Sequence, residues 1–311
     1  ASNNVSVGFR SSMVNTTGAN NVVMGFFALN QNTTANDNTA IGSYALTANT
    51  TGSQNTAVGA NALDSNTTGS PNTAVGAQCL AAATTGVYNT ALGYQALDAL
   101  TTQSFNVAIG SGALGASNQS ANTAIGHNAA HNASSAANLV CIGTDAGNAI
   151  TTGSNNTIVG RNAGTSITTG TNNSFLGAGA GSGAANSTSN EVILGNSSIS
   201  TLRCQTQTIS GLSDQRDKTA IEDLIVGLDF INTLKPRKFT WAMREPSAND
   251  GKTQTGFIAQ ELQESVGENE YLNLVDSYND ETLHSNMGNL IPVMIKAIQE
   301  LSAEVQTLKA A

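Results

Sequence analysis

The sequence predicts an all-β solenoid, a parallel β-roll of 17-residue coils, followed by a small α+β domain ending in a coiled-coil helix. Three observations predict it. A short motif closing on glycine recurs along the first two thirds of the chain, charge is partitioned abruptly near residue 213, and the last twenty residues carry a heptad of apolar side chains.

The repeat comes first because its period decides the architecture. The glycine ending "NTAIG" and its variants falls at Gly8, Gly25, Gly42, Gly59 and onward to Gly195, and nearly every interval is 17. One unit reads "NTAVGANALDSNTTGSP": a β-branched apolar run, a glycine, a small apolar pair, then a polar turn. That is too short for a helical hairpin repeat and suits one coil of two short strands and two turns.

In "TAVG" successive side chains point to opposite faces, so Ala57 and Val58 each need cover. The interior of so thin a coil is expected to take Ala-sized groups. The Val and Ile face is then left for another copy of the chain. Repeated Asn and Thr are expected to stack as ladders that satisfy the turn backbones, with Gly supplying positive φ or close approach at the corners. Twelve coils at strand spacing give a rod of about 55 Å.

Composition separates this shaft from the last third of the chain. Of the 33 charged residues, eight lie in residues 1–212 and 25 in the last 99. A net charge of -9 and the lack of a basic face argue against nucleic acid. No run approaches the roughly 18 to 20 apolar residues that span a bilayer, so no membrane insertion is expected. The opening "ASNNVSVG" reads as part of something longer. Cys79, Cys141 and Cys204 show no metal-ligand spacing and read as small buried hydrophobes. Cys79 stands in "GAQCL" where sister coils have "GSYAL" and "GANAL". His127, His131 and His284 show no ligand spacing, so no metal or cofactor is expected. The Asn-x-Thr triplets read as repeat ladders rather than glycosylation sites.

"NTAIGSYAL" and "NTAVGANAL" resemble the head repeats of trimeric autotransporter adhesins, and the shaft repeats of phage tail fibres. From residue 213, "SDQRDK", "LKPRKFTW", "TGFIAQEL" and "LIPVMIKAIQELSAEVQTL" resemble, in order and spacing, the intramolecular chaperone domain of endosialidases and other phage tail spikes, the S74 peptidase family. The resemblance implies a homotrimer that cuts itself from the finished fibre with a serine and a lysine. By the "SDxRxK" pattern these roles fall on Ser213 as nucleophile and Lys218 as general base.

The chemistry is consistent with that pattern. A serine hydroxyl needs a base, and a lysine serves once desolvation or a neighbouring cation favours its neutral form. Arg216 is such a cation, whereas Asp214 and Asp217 act the other way. Ser213 Oγ reaches the Leu212 carbonyl through a five-membered ring. Scission is therefore expected at Leu212–Ser213, with Ser213–Asp214 as the alternative. The competing structural reading is a Ser or Asp capping a helix in "SDQRDKTAIEDL".

The other motifs read as structure first. "FTW" alternates like a strand, with Trp241, the only tryptophan, expected in the core. Gly256 permits a tight approach before a helix whose Gln260 and Glu261 are surface residues or orient the dyad, and His284 is a further candidate to return in space. Ile291, Met294, Ile298, Leu301, Val305 and Leu308 step by 3 and 4, a trimer seam on a helix over about 289–309, with Pro292 tolerable in its first turn. A monomeric amphipathic core helix is the structural alternative.

The expected organisation is a shaft over 1–203, a linker over 204–212, and a chaperone and autoprotease domain over 213–311. The expected function is that of a trimeric tail fibre or spike fragment of a virion, made in the host cytoplasm, that meets a host-surface receptor, glycan or protein, through the shaft or an upstream region. Its C-terminal domain would bring three chains into register before cutting itself away. Two alternatives stand beside this: a bacterial surface adhesin with an uncleaved trimerisation domain, and a glycan-degrading spike. For the latter, Asp64 and Asp98 share repeat phase two coils apart, about 10 Å by strand spacing, near the carboxylate separation of inverting glycosidases.

Overall fold

The computed structural model describes residues 2–199, 202–203, 213–242, 251–279 and 282–310. Two compact units are present, Ala1–Asn196 and Ser197–Ala311. Cys204 lies outside the described residues.

The first unit is one parallel sheet of twelve strands in sequence order, from β1 (Val5–Val7) to β12 (Val192–Leu194), each returned to its neighbour by one turn of the coil. Register is like on like. In β3 (Thr39–Ile41) and β4 (Thr56–Val58), Thr39 faces Thr56, Ala40 faces Ala57 and Ile41 faces Val58. Parallel in-register stacking lets each polar residue bond its own equivalent one coil away. Asn38, Asn55, Asn72 and Asn89 are buried, and each donates its backbone N–H to the Oδ1 of the asparagine before it at 2.9–3.0 Å. Threonine hydroxyls do the same one wall away: Thr50 Oγ1 donates to the Thr67 carbonyl and Thr67 Oγ1 to that of Thr84.

The strand-closing glycines have no substitute. Gly59 sits at φ 137°, and a Cβ on it would stand 2.5 Å from the Gly76 carbonyl oxygen of the next coil. Backbone approaches backbone there with no room for a methyl group.

Each coil holds one strand rather than the expected two. Opposite the strand, alternate residues take left-handed backbone, Tyr44 at φ 60° and Leu46 at φ 51°. Their amides still bond along the rod, Tyr44 N–H to the Phe26 carbonyl at 2.9 Å and Leu46 N–H to that of Ala62 at 3.0 Å. Inter-coil bonding and burial of Leu46 outweigh the roughly 1–2 kcal/mol that an L-residue loses in that region.

The interior also takes more than alanine. In coils where the strand contributes Ala40, Ala57 or Ala74, the opposite wall contributes Leu46, Leu63 or Leu80. Toward the C-terminal end the exchange is reversed. Cys141, Ile158 and Phe175 grow from the strand, and the facing positions become Gly147, Gly164 and Gly181, where a Cβ would meet those very side chains. In these coils size on one wall is traded for size on the other, while the coil of Ala124 and Ala130 is small on both.

The second unit carries α1 (Leu228–Thr233), an antiparallel pair β13 (Arg237–Thr240) and β14 (Thr253–Gly256), α2 (Ala259–Val266), a hairpin β15 (Val275–Asn279) and β16 (Thr282–Ser285), and α3 (Leu290–Ala310). Its core is small: Phe230, Val266, Leu272, Leu274, Leu290 and Val293. A Glu300 carboxylate on α3 accepts from the Leu228 N–H at 2.6 Å and so fastens α1 to the long helix. Trp241 is only half-buried, with its indole edge-on to Phe239 at 5.3 Å and its Nε1 donating to Gln254 at 2.9 Å. The lone tryptophan lies beside this sheet and not in the core, because the sheet has two strands among the described residues. No helix among the described residues is long and apolar enough to cross a membrane.

Helix α3 has two apolar faces. Leu290, Val293 and Ala297 are buried against the unit's own core, while Ile291, Met294, Ile298, Leu301, Val305 and Leu308 are exposed, from 40% at Val305 to 76% at Leu308. Pro292 falls in the first turn, after a short 3₁₀ turn over Met287–Asn289.

Candidate active site

The segment "SDQRDK" folds as a single 3₁₀ turn, Gln215–Asp217. Its cap is Asp214, not Ser213. The Asp214 carboxylate accepts from the Arg216 N–H at 2.9 Å, and the Lys218 N–H closes the turn on the Gln215 carbonyl at 3.1 Å. This leaves the serine hydroxyl outside the turn's own hydrogen bonds. The turn also folds Lys218 back over its start, with Nζ 2.7 Å from Ser213 Oγ and 3.3 Å from the Ser213 carbonyl oxygen.

Arg216 is committed elsewhere. Its guanidinium pairs with Asp214, Nη2 to Oδ2 at 2.6 Å and Nε to both oxygens. Arg216 holds the Asp214 carboxyl below the usual carboxylate range, and that carboxylate raises the guanidinium in turn. The expected cationic neighbour of the lysine is therefore largely neutralised by the acid expected to oppose it. Ser213 and Lys218 are both exposed. Leu212, the acyl side of the expected scissile bond, lies outside the described residues.

The other candidates stand on other elements. Gln260 and Glu261 are in the first turn of α2, and Glu261 is held by Arg237 of β13 at 2.5 Å, which keeps its carboxyl below the usual range. That bond joins residues 24 apart and ties β13 to α2. It is a packing role for Glu261, and nothing local in the sequence announces it. His284 lies on β16.

In the shaft, burial pushes Asp64 and Asp98 above the ordinary carboxylate range. The two occupy equivalent places, the carbonyl of Asp64 accepting from Ala48 N–H and that of Asp98 from Ala82 N–H. Cys79 and Cys141 are buried, and burial pushes each thiol up to about 12. Among the described residues no group of histidine, cysteine and acidic side chains is placed to hold a metal ion.

Residues 213–270 match the family model described as chaperone of endosialidase, the peptidase S74 family. The match begins at Ser213 itself and spans the turn, both β13 and β14, and α2. A parallel β-solenoid followed by this segment fits a tail-spike-like protein with a C-terminal S74 domain, at the coarse level an intramolecular chaperone with a peptidase-like character. No curated protein and no solved structure matches the chain.

Proposed function

We propose that the chain belongs to a homotrimeric virion tail fibre or spike whose C-terminal domain aligns three copies, drives the solenoids into register, and then cuts itself free at Ser213. The observation that carries this reading is the 2.7 Å contact between Ser213 Oγ and Lys218 Nζ at the first residue of the S74 segment. Lys218 Nζ takes the hydroxyl proton as Oγ attacks the Leu212 carbonyl carbon through a five-membered ring. The C–N bond then breaks, the Ser213 nitrogen receives the proton from Lys218, and the acyl group rests on Oγ as an ester. Water hydrolyses the ester, releasing a Leu212 carboxylate and restoring the hydroxyl on a new N-terminal Ser213.

Exposure explains the coupling to assembly. A lysine acts as a base only without its proton, and removal from water favours the neutral amine. The dyad is exposed in a single chain. Packing of neighbouring chains over residues 213–218 is the step that activates it, so cutting reports a completed trimer. The same neighbours cover two apolar surfaces: the exposed α3 seam, and the outward row of the shaft sheet in which Val7, Met24, Leu92 and Leu176 are 46–56% exposed.

The experiment is expression of the chain with Ser213→Ala or Lys218→Met beside the parent, read by denaturing gel and intact mass. The parent yields two products parted at Leu212–Ser213, and both variants remain whole. A Ser213→Ala chain that still divides would rule the dyad out.

A further inference from the structure

Two walls of the shaft repeat and one does not. The strand wall restates Asn-Thr-Ala-aliphatic-Gly, and the turn wall restates Asn-Thr-Thr-Gly, because both carry the ladders that join coil to coil. The wall after each strand-closing glycine varies freely. Its outward positions hold Phe26 and Phe27 in one coil, Ala60, Asn61 and Asp64 in another, and Arg161, Asn162 and Thr165 in a third. In repeat architectures the side chains released from stacking duty are those available for a ligand.

Near the C-terminal end this wall opens into a groove of about 650 Å³, lined by Asp145, Asn148, Arg161, Asn162, Thr165 and Ser182. The groove exists because Ala178 and Gly179 occupy places that Phe26 and Phe27 fill at the other end. Arg161 and Arg10 are the two cations of residues 1–200. Arg10 lies over the Phe9 and Phe27 rings at 5.3 and 5.4 Å. The Arg161 side chain, by contrast, makes no ion pair or hydrogen bond among the described residues and stands exposed on the groove wall. Within the lining, Asn148 reaches Asp145 at 3.5 Å and accepts from Asn132 of the coil before at 3.2 Å, Thr165 Oγ1 reaches the Asn162 carbonyl at 3.4 Å, and Asn196 donates to the Ala178 carbonyl at 3.0 Å, which leaves the Arg161 guanidinium, the Asn162 amide and the Ser182 hydroxyl without a side-chain bond in the lining.

We infer that this groove is a carbohydrate site for a neutral, hydroxyl-rich saccharide. Asp145 accepts, Arg161 donates, and the three amides, Asn148, Asn162 and Asn196, and two hydroxyls do both, the complement of vicinal diols that also donate and accept. One acid and one base leave the lining without net charge, and five acids against two bases in residues 1–200 disfavour an anionic ligand. No aromatic or large aliphatic side chain lines the groove, which turns away an apolar ligand. The inference rests on the reading of the shaft as a surface-attachment rod and assigns the ligand class and place on it.

The test uses the full chain as purified, with oligomeric mass and cleavage recorded on the same sample. Binding is measured to arrayed neutral oligosaccharides of α- and β-linked glucose, galactose and mannose, beside uronate-bearing and sulfated ones. At least one neutral series is expected to bind, with affinity falling tenfold or more in Arg161→Ala and in the groove-filling Thr165→Tyr at unchanged melting temperature. Binding by acidic saccharides alone, binding that both variants retain, or no binding at all overturns the site. An assembled, cleaved chain without saccharide binding overturns this inference and leaves the proposed assembly role standing; a monomeric, uncut chain does the reverse.

Discussion

The shaft and the C-terminal unit hold themselves together by opposite means. The shaft strands and their asparagine ladder contact their own likeness: Ala57 lies beside Ala40 and Ala74, and Asn55 bonds Asn38 and is bonded by Asn72. The C-terminal unit makes contacts that occur once, such as Glu300 with Leu228 N–H and Arg237 with Glu261. A lattice of equivalents is strong along its axis but cannot count, because two chains displaced by one coil meet almost the same side chains. Register must come from a region where nothing is equivalent. In the proposed assembly the C-terminal unit, with its single core and the exposed apolar face of α3, is that region.

The sharpest way to break this contrast is to remove one side of it. A chain stopped after residue 212 keeps every ladder of the shaft, yet we expect it to yield aggregates or mixed oligomers instead of one species by light scattering. A uniform trimer from that truncation would show that the shaft sets its own register.

Next in size is a change that spares the fold of the C-terminal unit while removing its outward seam. Ile298→Lys with Leu301→Lys alters two exposed side chains and leaves Leu290, Val293 and Ala297 on the core. Trimer yield and self-cleavage should both fall at least tenfold, with helical circular dichroism largely kept. Val293→Ala, on the buried face, should instead cost about 2 kcal/mol in unfolding. If the two classes of change have the same effect, the two faces of α3 are not distinct.

A finer test concerns the volume exchange inside the shaft. Phe175→Ala should cost about 3–5 kcal/mol, and Gly181→Leu alone about 1–3 kcal/mol from overpacking against Phe175. Together they recreate the pairing of Ala57 with Leu63, so thermal denaturation of the double variant should recover most of the loss. The backbone permits it, since Leu63 at φ 51° and Gly181 at φ 69° share the left-handed region. Simple addition of the two costs would refute that exchange.

Legibility in the sequence divides along the same line. Each coil restates its pattern, so the solenoid, its glycines and its Asn and Thr ladders could be read from "NTAVGANALDSNTTGSP". The second wall could not, because left-handed leucines run against intrinsic preference and are held by inter-coil bonds that exist only in the stack. Ser213 and Lys218 were singled out by the "SDxRxK" pattern that the resemblance supplies, and their contact was within reach of sequence reasoning because one local turn makes it. The neutralising embrace of Asp214 and Arg216 was not, since both charges were read only against the lysine. Glu261 with Arg237 and Glu300 with Leu228 are 24 and 72 residues apart and leave no periodic trace.

The smallest expected effect separates the two regions by chemistry. Cys79 and Cys141 sit inside coils, where burial pushes their thiols up to about 12 from an ordinary 9.0. Thiolate is the reactive form, so iodoacetamide at mildly alkaline pH should label neither while the solenoid is folded and both in denaturant. Between about 9 and 12 the unfolded chain releases thiol protons that the folded coil retains, so this share of shaft stability is present below the unfolded value and is lost as pH rises through that window. The C-terminal turn responds at the other end of the scale. Asp214 is held below the carboxylate range by Arg216, and its contribution is present at neutral pH and lost as acid protonates it. Only acid below the ordinary carboxylate range should therefore loosen the turn that carries Ser213 and Lys218 and slow self-cleavage, whereas alkali should weaken the coils around Cys79 and Cys141. Labelling of those cysteines in the folded protein, or a shaft that melts before the cleavage turn in acid, would place the weak points of the molecule on the wrong sides of residue 213.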